Sequence, residues 1–241
     1  MIGLCIGGLI IISLKIGGYY NQVEKDKKIF KEIKEIEQIE QKEESAQEGA
    51  THKNHLEKLK SLNEDVVGWL EIKGTSINYP VMYTPDRPQY YLNRNFYKEY
   101  SISGTPFLDE EFKLEPLSDN LIIYGHNMKD GSMFHTLVNY KEQTFWEQNQ
   151  QITFETHKEQ YIYDIFAVIN VNVDTQDAQT IYTTQSFQYE KQFKQYMEVV
   201  KRNEFYKTGI EPTYGSQLIT LSTCETGKDN ERILVIGVRT Q

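Results

Sequence analysis

Cys224 and Arg232 stand eight positions apart, on either side of a short polar segment. Leu218 to Thr223 alternates apolar and hydroxyl residues, and Ile233 to Val238 is almost wholly apolar and β-branched. Both runs predict strands. The segment Glu225–Glu231, with Gly227 and Asp229-Asn230, predicts the connection between them. In an antiparallel pair joined this way, the end of the first strand lies beside the start of the second. The thiol and the guanidinium therefore share one end of a sheet. A neighbouring cation makes a thiolate nucleophile easier to form. A donor fixed at Arg232 can also stabilise the oxyanion that grows on an attacked carbonyl.

A third group at a predicted strand end is His126. It follows the apolar run Leu121–Tyr124 and leads into Asn127 and the turn Lys129-Asp-Gly131. Strand ends that open onto loops are where sites are built on rigid scaffolds, and an imidazole there can protonate a leaving amine. The other histidines read differently. His52 and His55 fall in a charged stretch, and His157 adjoins Lys158 and Glu159 in a turn. His135 lies inside a predicted helix, where packing is the plainer role. For Cys224 the plain alternative is a buried, inert thiol. One cysteine and scattered histidines lack ligand spacing, so neither metal nor cofactor is expected. No Gly-rich phosphate loop and no Gly-x-Ser-x-Gly elbow occurs.

These groups need a scaffold, and the composition suits one. The chain has 17 tyrosines, few prolines and a net charge of −9. That balance fits a β-rich globular body and argues against a nucleic-acid partner, since no basic excess is present to neutralise phosphates. Of the two cysteines, Cys5 sits in the N-terminal apolar segment, which leaves Cys224 without a partner for an intramolecular disulfide.

The chain divides into three regions. Residues 1–20 are expected to form a membrane signal-anchor, because Ile2–Tyr20 is apolar apart from Ser13 and Lys15 and reaches the lower range for a spanning helix. A cleaved secretory signal is the competing reading. Lys25, Lys27 and Lys28 come directly after the segment, and the positive-inside rule by itself would place the rest of the chain in the cytoplasm. Residues 21–55 read as a charged helical stalk, largely solvated, with a narrow stripe of Ile29, Ile33, Ile36 and Ile39. Residues 56–241 form the globular domain. Short strand-like runs at Val66–Ile72, Ile77–Tyr83, Gly104–Asp109, Asn120–His126, Gln151–Glu155 and Tyr161–Val173 join the two C-terminal ones, a pattern that predicts a barrel or sandwich. Helices are predicted over Ser132–Asn149 and Phe187–Phe205.

Three motifs resemble the sortase family. Thr220-Leu-Ser-Thr-Cys224 with Arg232 looks like its active-site signature, and Asn120-Leu-Ile-Ile-Tyr-Gly-His-Asn127 like the segment carrying its histidine. The run Asn63-Glu-Asp-Val-Val-Gly-Trp-Leu-Glu-Ile-Lys-Gly-Thr-Ser-Ile-Asn-Tyr-Pro-Val81 resembles the lead into its barrel. The Thr-Leu-Ser-Thr-Cys form, the N-terminal helices and the long helix before the cysteine strand are similar to class B. The resemblance implies a mainly β protein, an eight-stranded β-barrel, and a membrane-anchored cysteine transpeptidase with its domain outside a Gram-positive cell. It implies partners too: surface proteins cut after Thr in a C-terminal sorting signal, often of the Asn-Pro-x-Thr-Asn or Asn-Pro-x-Thr-Gly kind, and a cell-wall amine that accepts them. A minority of the class build pili instead. Carried over, Cys224 is the nucleophile, His126 the acid/base and Arg232 the oxyanion or substrate-orienting group. Tyr124, Ser222, Thr223 and Glu225 match groove positions, and the groove asparagine falls at Asn93 or Asn95. A cysteine protease that resolves the thioester with water, and a tethered binding module without chemistry, are the other readings.

Overall fold

A computed structural model describes residues 2–45, 55–113 and 117–240, with side chains described from residue 16 to 38 and again from 56. Eight strands close into a barrel in the order β1-β2-β3-β4-β7-β8-β6-β5. They are β1 (Val66–Glu71), β2 (Asn78–Met82), β3 (Phe107–Leu108), β4 (Asn120–Tyr124), β5 (Gln151–Glu155), β6 (Gln160–Asn172), β7 (Leu218–Glu225) and β8 (Lys228–Arg239). The β1–β5 pairing, Trp69 opposite Glu155, completes the circle. Most pairs are antiparallel, while β2–β3 and β4–β7 run parallel.

Period-two alternation places the core. From β7, Ile219 and Leu221 face inward beside Leu121 and Ile123 of β4 and Ile233 and Val235 of β8. Leu234 and Ile236 of β8 face outward, under α4 (Gln176–Tyr182) and α5 (Glu190–Asn203). Both faces of β8 are thus covered, which is why Ile233–Val238 has no polar alternation. Phe193, Tyr196, Met197 and Val200 form the buried stripe of α5, as the sequence pattern predicts.

Two expectations change. The single helix expected over Ser132–Asn149 is instead a 3-10 helix, His135–Lys141, followed by α3 (Gln143–Gln148). Glu142 between them is extended, with φ −91° and ψ 119°, and Met133 before them has φ +54°. The tighter 3-10 winding lets Leu137 and Tyr140 reach the barrel core together.

The second change concerns the stalk. Helix α1 (Ile2–Ser45) lays one face on the barrel, with α2 (His55–Leu62) beside it. Val23, Asp26, Phe30, Ile33 and Glu37 are buried, at the three-and-four spacing of a helix face. Phe30 meets Tyr79 edge-on at 5.4 Å between ring centroids. Asp26 accepts a 2.7 Å hydrogen bond from Ser101 Oγ, and Lys27 pairs with Asp130 at 3.2 Å. This part of the stalk is a packed element of the domain rather than a solvated spacer. Phe30→Ala and Ile33→Ala should each destabilise the fold by about 2–5 kcal/mol, read from denaturant unfolding. A loss under about 0.5 kcal/mol would mean the helix is dispensable. Among the described residues no helix is long and apolar enough to cross a membrane. The anchor expected at residues 1–20 falls mostly where side chains lie outside the described residues.

Candidate active site

The site grows from the β7–β8 hairpin. The turn is tighter than the sequence suggests, since the strands continue to Glu225 and from Lys228 with Thr226-Gly227 between them. Gly227 has φ +74°, the left-handed conformation that favours glycine. Cys224 and Arg232 are direct cross-strand partners in this register, so their side chains share one face of the sheet. Arg232 is anchored by its own strand end, where Nη1 donates to the carbonyls of Asp229 (2.6 Å) and Glu231 (3.0 Å).

β4 supplies the histidine. It runs parallel to β7 with Tyr124 opposite Ser222, so His126 and Cys224 leave the sheet at the same level. Nε2 of His126 lies 2.8 Å from the carbonyl oxygen of Leu92. A carbonyl only accepts, so this nitrogen carries a hydrogen. Leu92 belongs to a 3-10 helix, Tyr90–Asn93.

These residues open onto a groove of about 500 Å³, lined by His126, Cys224, Arg232, Tyr124, Ser222 and Thr223 among others. It is also lined by Pro88, Gln89 and Leu92, by Phe107 to Glu110, and by Gly125, Val173 and Tyr182. Cys224, His126 and Arg232 are all partly exposed there. The cysteine is not a buried core thiol.

Two of the expected groove residues lie elsewhere. Glu225 is buried next to the groove, not in it, and both its carboxylate oxygens accept from Lys141 Nζ at 3.1 Å. Strand neighbours point to opposite faces, which separates it from Cys224. Asn93 ends its 3-10 helix exposed, one residue past Leu92. Asn95 is buried, and its side-chain oxygen accepts from the N–H groups of Tyr97 and Glu99.

Tyr182 is the main groove residue that the sequence did not single out. Thr175 caps α4 by accepting from Ala178 N–H, and the helix delivers Tyr182 at its last position. Its ring stacks on Tyr124 at 6.0 Å and 26°, and its hydroxyl lies 2.8 Å from Ser222 Oγ. Burial pushes the phenol up to about 12, against the opposing pull of the Ser222 bond and the Arg232 charge. It therefore stays a neutral hydroxyl at physiological pH. Tyr124 in turn donates to Asp109 Oδ2 at 2.8 Å, and Gln185 Nε2 donates to Asp109 Oδ1 at 3.1 Å. Among the described residues no three His, Cys, Asp or Glu side chains gather as a metal site would need.

Fold and groove define a class first: an eight-stranded barrel whose open cleft presents a thiol, an imidazole and a guanidinium. The chain belongs to the sortase family, since residues 70–240 match the Sortase domain. Its relatives are class B. It is 37% identical over 180 residues to Sortase B of Listeria monocytogenes, covering 75% of this chain and 71% of that one. Over 194 residues it is 31% identical to Sortase B of Staphylococcus aureus, covering 78% and 77%. Among solved structures, a Staphylococcus aureus sortase B–substrate complex superposes with a TM-score of 0.81 at 25% identity, covering 91% of this chain and 98% of that one. A sortase B complexed with Gly3 gives a TM-score of 0.80 at 26% identity, covering 90% and 98%.

Proposed function

We propose that this sortase-family enzyme is a membrane-anchored cysteine transpeptidase, with Cys224, His126 and Arg232 as its catalytic residues. Cys224 passes its proton to His126 as its Sγ attacks the carbonyl carbon of the Thr in a C-terminal sorting signal, and Arg232 holds the oxyanion that forms or orients the substrate. The C–N bond then breaks as His126 protonates the departing amine, which leaves a thioester on Cys224. An amine of the cell wall attacks that thioester. His126 accepts the amine's proton, the C–S bond breaks, and the surface protein becomes amide-linked to its acceptor. Tyr124, Ser222, Thr223 and Tyr182 hold the extended signal along the groove.

One observation carries this reading. Cys224 and Arg232 face each other across β7 and β8, and His126 lines the same groove. Nε2 of His126 already carries a hydrogen, and it can exchange the Leu92 carbonyl for the substrate nitrogen without leaving the groove, because Leu92 lines it as well. The complexes of related sortase B proteins with a substrate and with Gly3 support a cleft that takes a peptide and an amine. The apolar run Ile2–Tyr20 supports the anchor, and membership of the sortase family, against the charge of the flanking lysines, supports a domain outside the cell.

The test is a fluorogenic Asn-Pro-x-Thr-Asn or Asn-Pro-x-Thr-Gly peptide, incubated with and without triglycine. Transfer predicts cleavage together with a ligated product. Cleavage with no ligated product at any amine concentration would instead mean that water resolves the thioester and that the chain is a protease.

A further inference from the structure

The β4–β7 ladder ends just short of the reacting groups. Its last register pair is Tyr124–Ser222, followed by one backbone bond from Gly125 N–H to the Ser222 carbonyl at 3.1 Å. Beyond that point the two chain segments are joined through side chains. Thr223 Oγ1 donates to the Gly125 carbonyl at 2.8 Å, and Asn127 Nδ2 donates to the Cys224 carbonyl at 2.8 Å.

Asn127 is the more consequential tie, because it joins the neighbour of His126 to the backbone of Cys224. Its amide is almost fully used. The second Nδ2 hydrogen goes to Thr226 Oγ1 at 3.1 Å, and Oδ1 lies 2.7 Å from Nδ1 of His135. The Cys224 carbonyl can only accept, so the NH2 side must face it. That leaves Oδ1 toward His135, whose Nδ1 must then be the donor. This donor is present in both the neutral Nδ1–H tautomer and the imidazolium, so the arrangement survives protonation of His135. The loop carrying Asn127 is held in turn, because Asn127 bridges to Met133 and Phe134 N–H donates to the His126 carbonyl at 2.9 Å.

We infer that Asn127 is a positioning residue for the transfer reaction, setting the separation between the imidazole of His126 and the sulfur of Cys224, with His135 fixing the orientation of its amide. Asn127 does not line the groove, so its effect falls on the chemistry rather than on peptide binding. The inference rests on Cys224 and His126 being the reacting pair.

The experiment compares Asn127→Ala, Asn127→Asp and His135→Asn in the full chain. It measures steady-state peptide cleavage and the pH profile of Cys224 alkylation by iodoacetamide. Asn127→Asp keeps the size and the His135 bond but turns an oxygen toward the Cys224 carbonyl. Both Asn127 variants should lose about ten- to a hundredfold in kcat, with KM within about twofold and a displaced alkylation profile. His135→Asn keeps an N–H donor at the position of Nδ1 and should stay within about threefold of the parent. A kcat within about twofold for Asn127→Asp, a loss confined to KM, or a loss that follows a lowered Tm would overturn the inference. Alkylation reads the thiol directly, so it judges Asn127 independently of the peptide. A Cys224→Ala variant that still cleaves would instead sink the catalytic reading.

Discussion

Cys224→Ala is expected to abolish both cleavage of a sorting-signal peptide and its transfer to an added amine. The loss should exceed about 10⁴-fold in kcat, because the variant has no nucleophile with which to form the thioester. The fold should survive. Cys224 is partly exposed at the mouth of the groove, so truncation leaves no enclosed cavity. An unchanged Tm alongside lost turnover separates chemistry from stability, and a thiol-reactive sorting-signal mimic should label the parent and not the variant. Residual turnover above about one part in a hundred would mean that the sulfur is not the attacking group.

Arg232→Ala is the second large effect, expected at about 10²–10³-fold in kcat, the usual loss when one oxyanion donor is removed. Arg232→Lys tests whether charge alone suffices. The guanidinium already spends Nη1 on the carbonyls of Asp229 and Glu231, and its planar fork leaves other N–H groups to meet substrate. A lysine ammonium cannot reproduce both, so it should recover only a small part of the loss. If Arg232→Lys matched the parent in kcat, the residue would be acting as a distant charge. If Arg232→Ala left kcat unchanged and raised KM alone, its role would be substrate binding, with the oxyanion held by other donors.

The two effects differ in kind. Under the proposed function, removing the sulfur removes the covalent step, whereas removing the guanidinium leaves that step slow but present. Arg232→Ala should therefore still be alkylated at Cys224, and Asn127→Ala should be too. The variants can be ranked on one thiol readout without assuming a sorting-signal sequence.

Much of this was legible from local pattern. Period-two alternation in Leu218–Thr223 and the apolar run Ile233–Val238 determined two strands, and hairpin geometry then required Cys224 and Arg232 to be neighbours. Strand ends marked His126, and the three-and-four spacing of Phe193, Tyr196, Met197 and Val200 marked the face of α5. These features depend on residues close in the chain, whose geometry the backbone fixes by itself. Tertiary structure decided what the chain brings together over long distances. Alternation says that β4 is a strand but not that its parallel partner is β7, nearly a hundred residues later, and only that pairing brings His126 level with Cys224. Tyr182 gave no signal because its position depends on α4 docking over β8, and Leu92 none because its contribution is a backbone carbonyl that every residue possesses. Asn93 and Glu225 stand outside the groove for a local reason instead. A motif position fixes a place along the chain, whereas the local turn or pleat decides which side of the backbone the side chain takes.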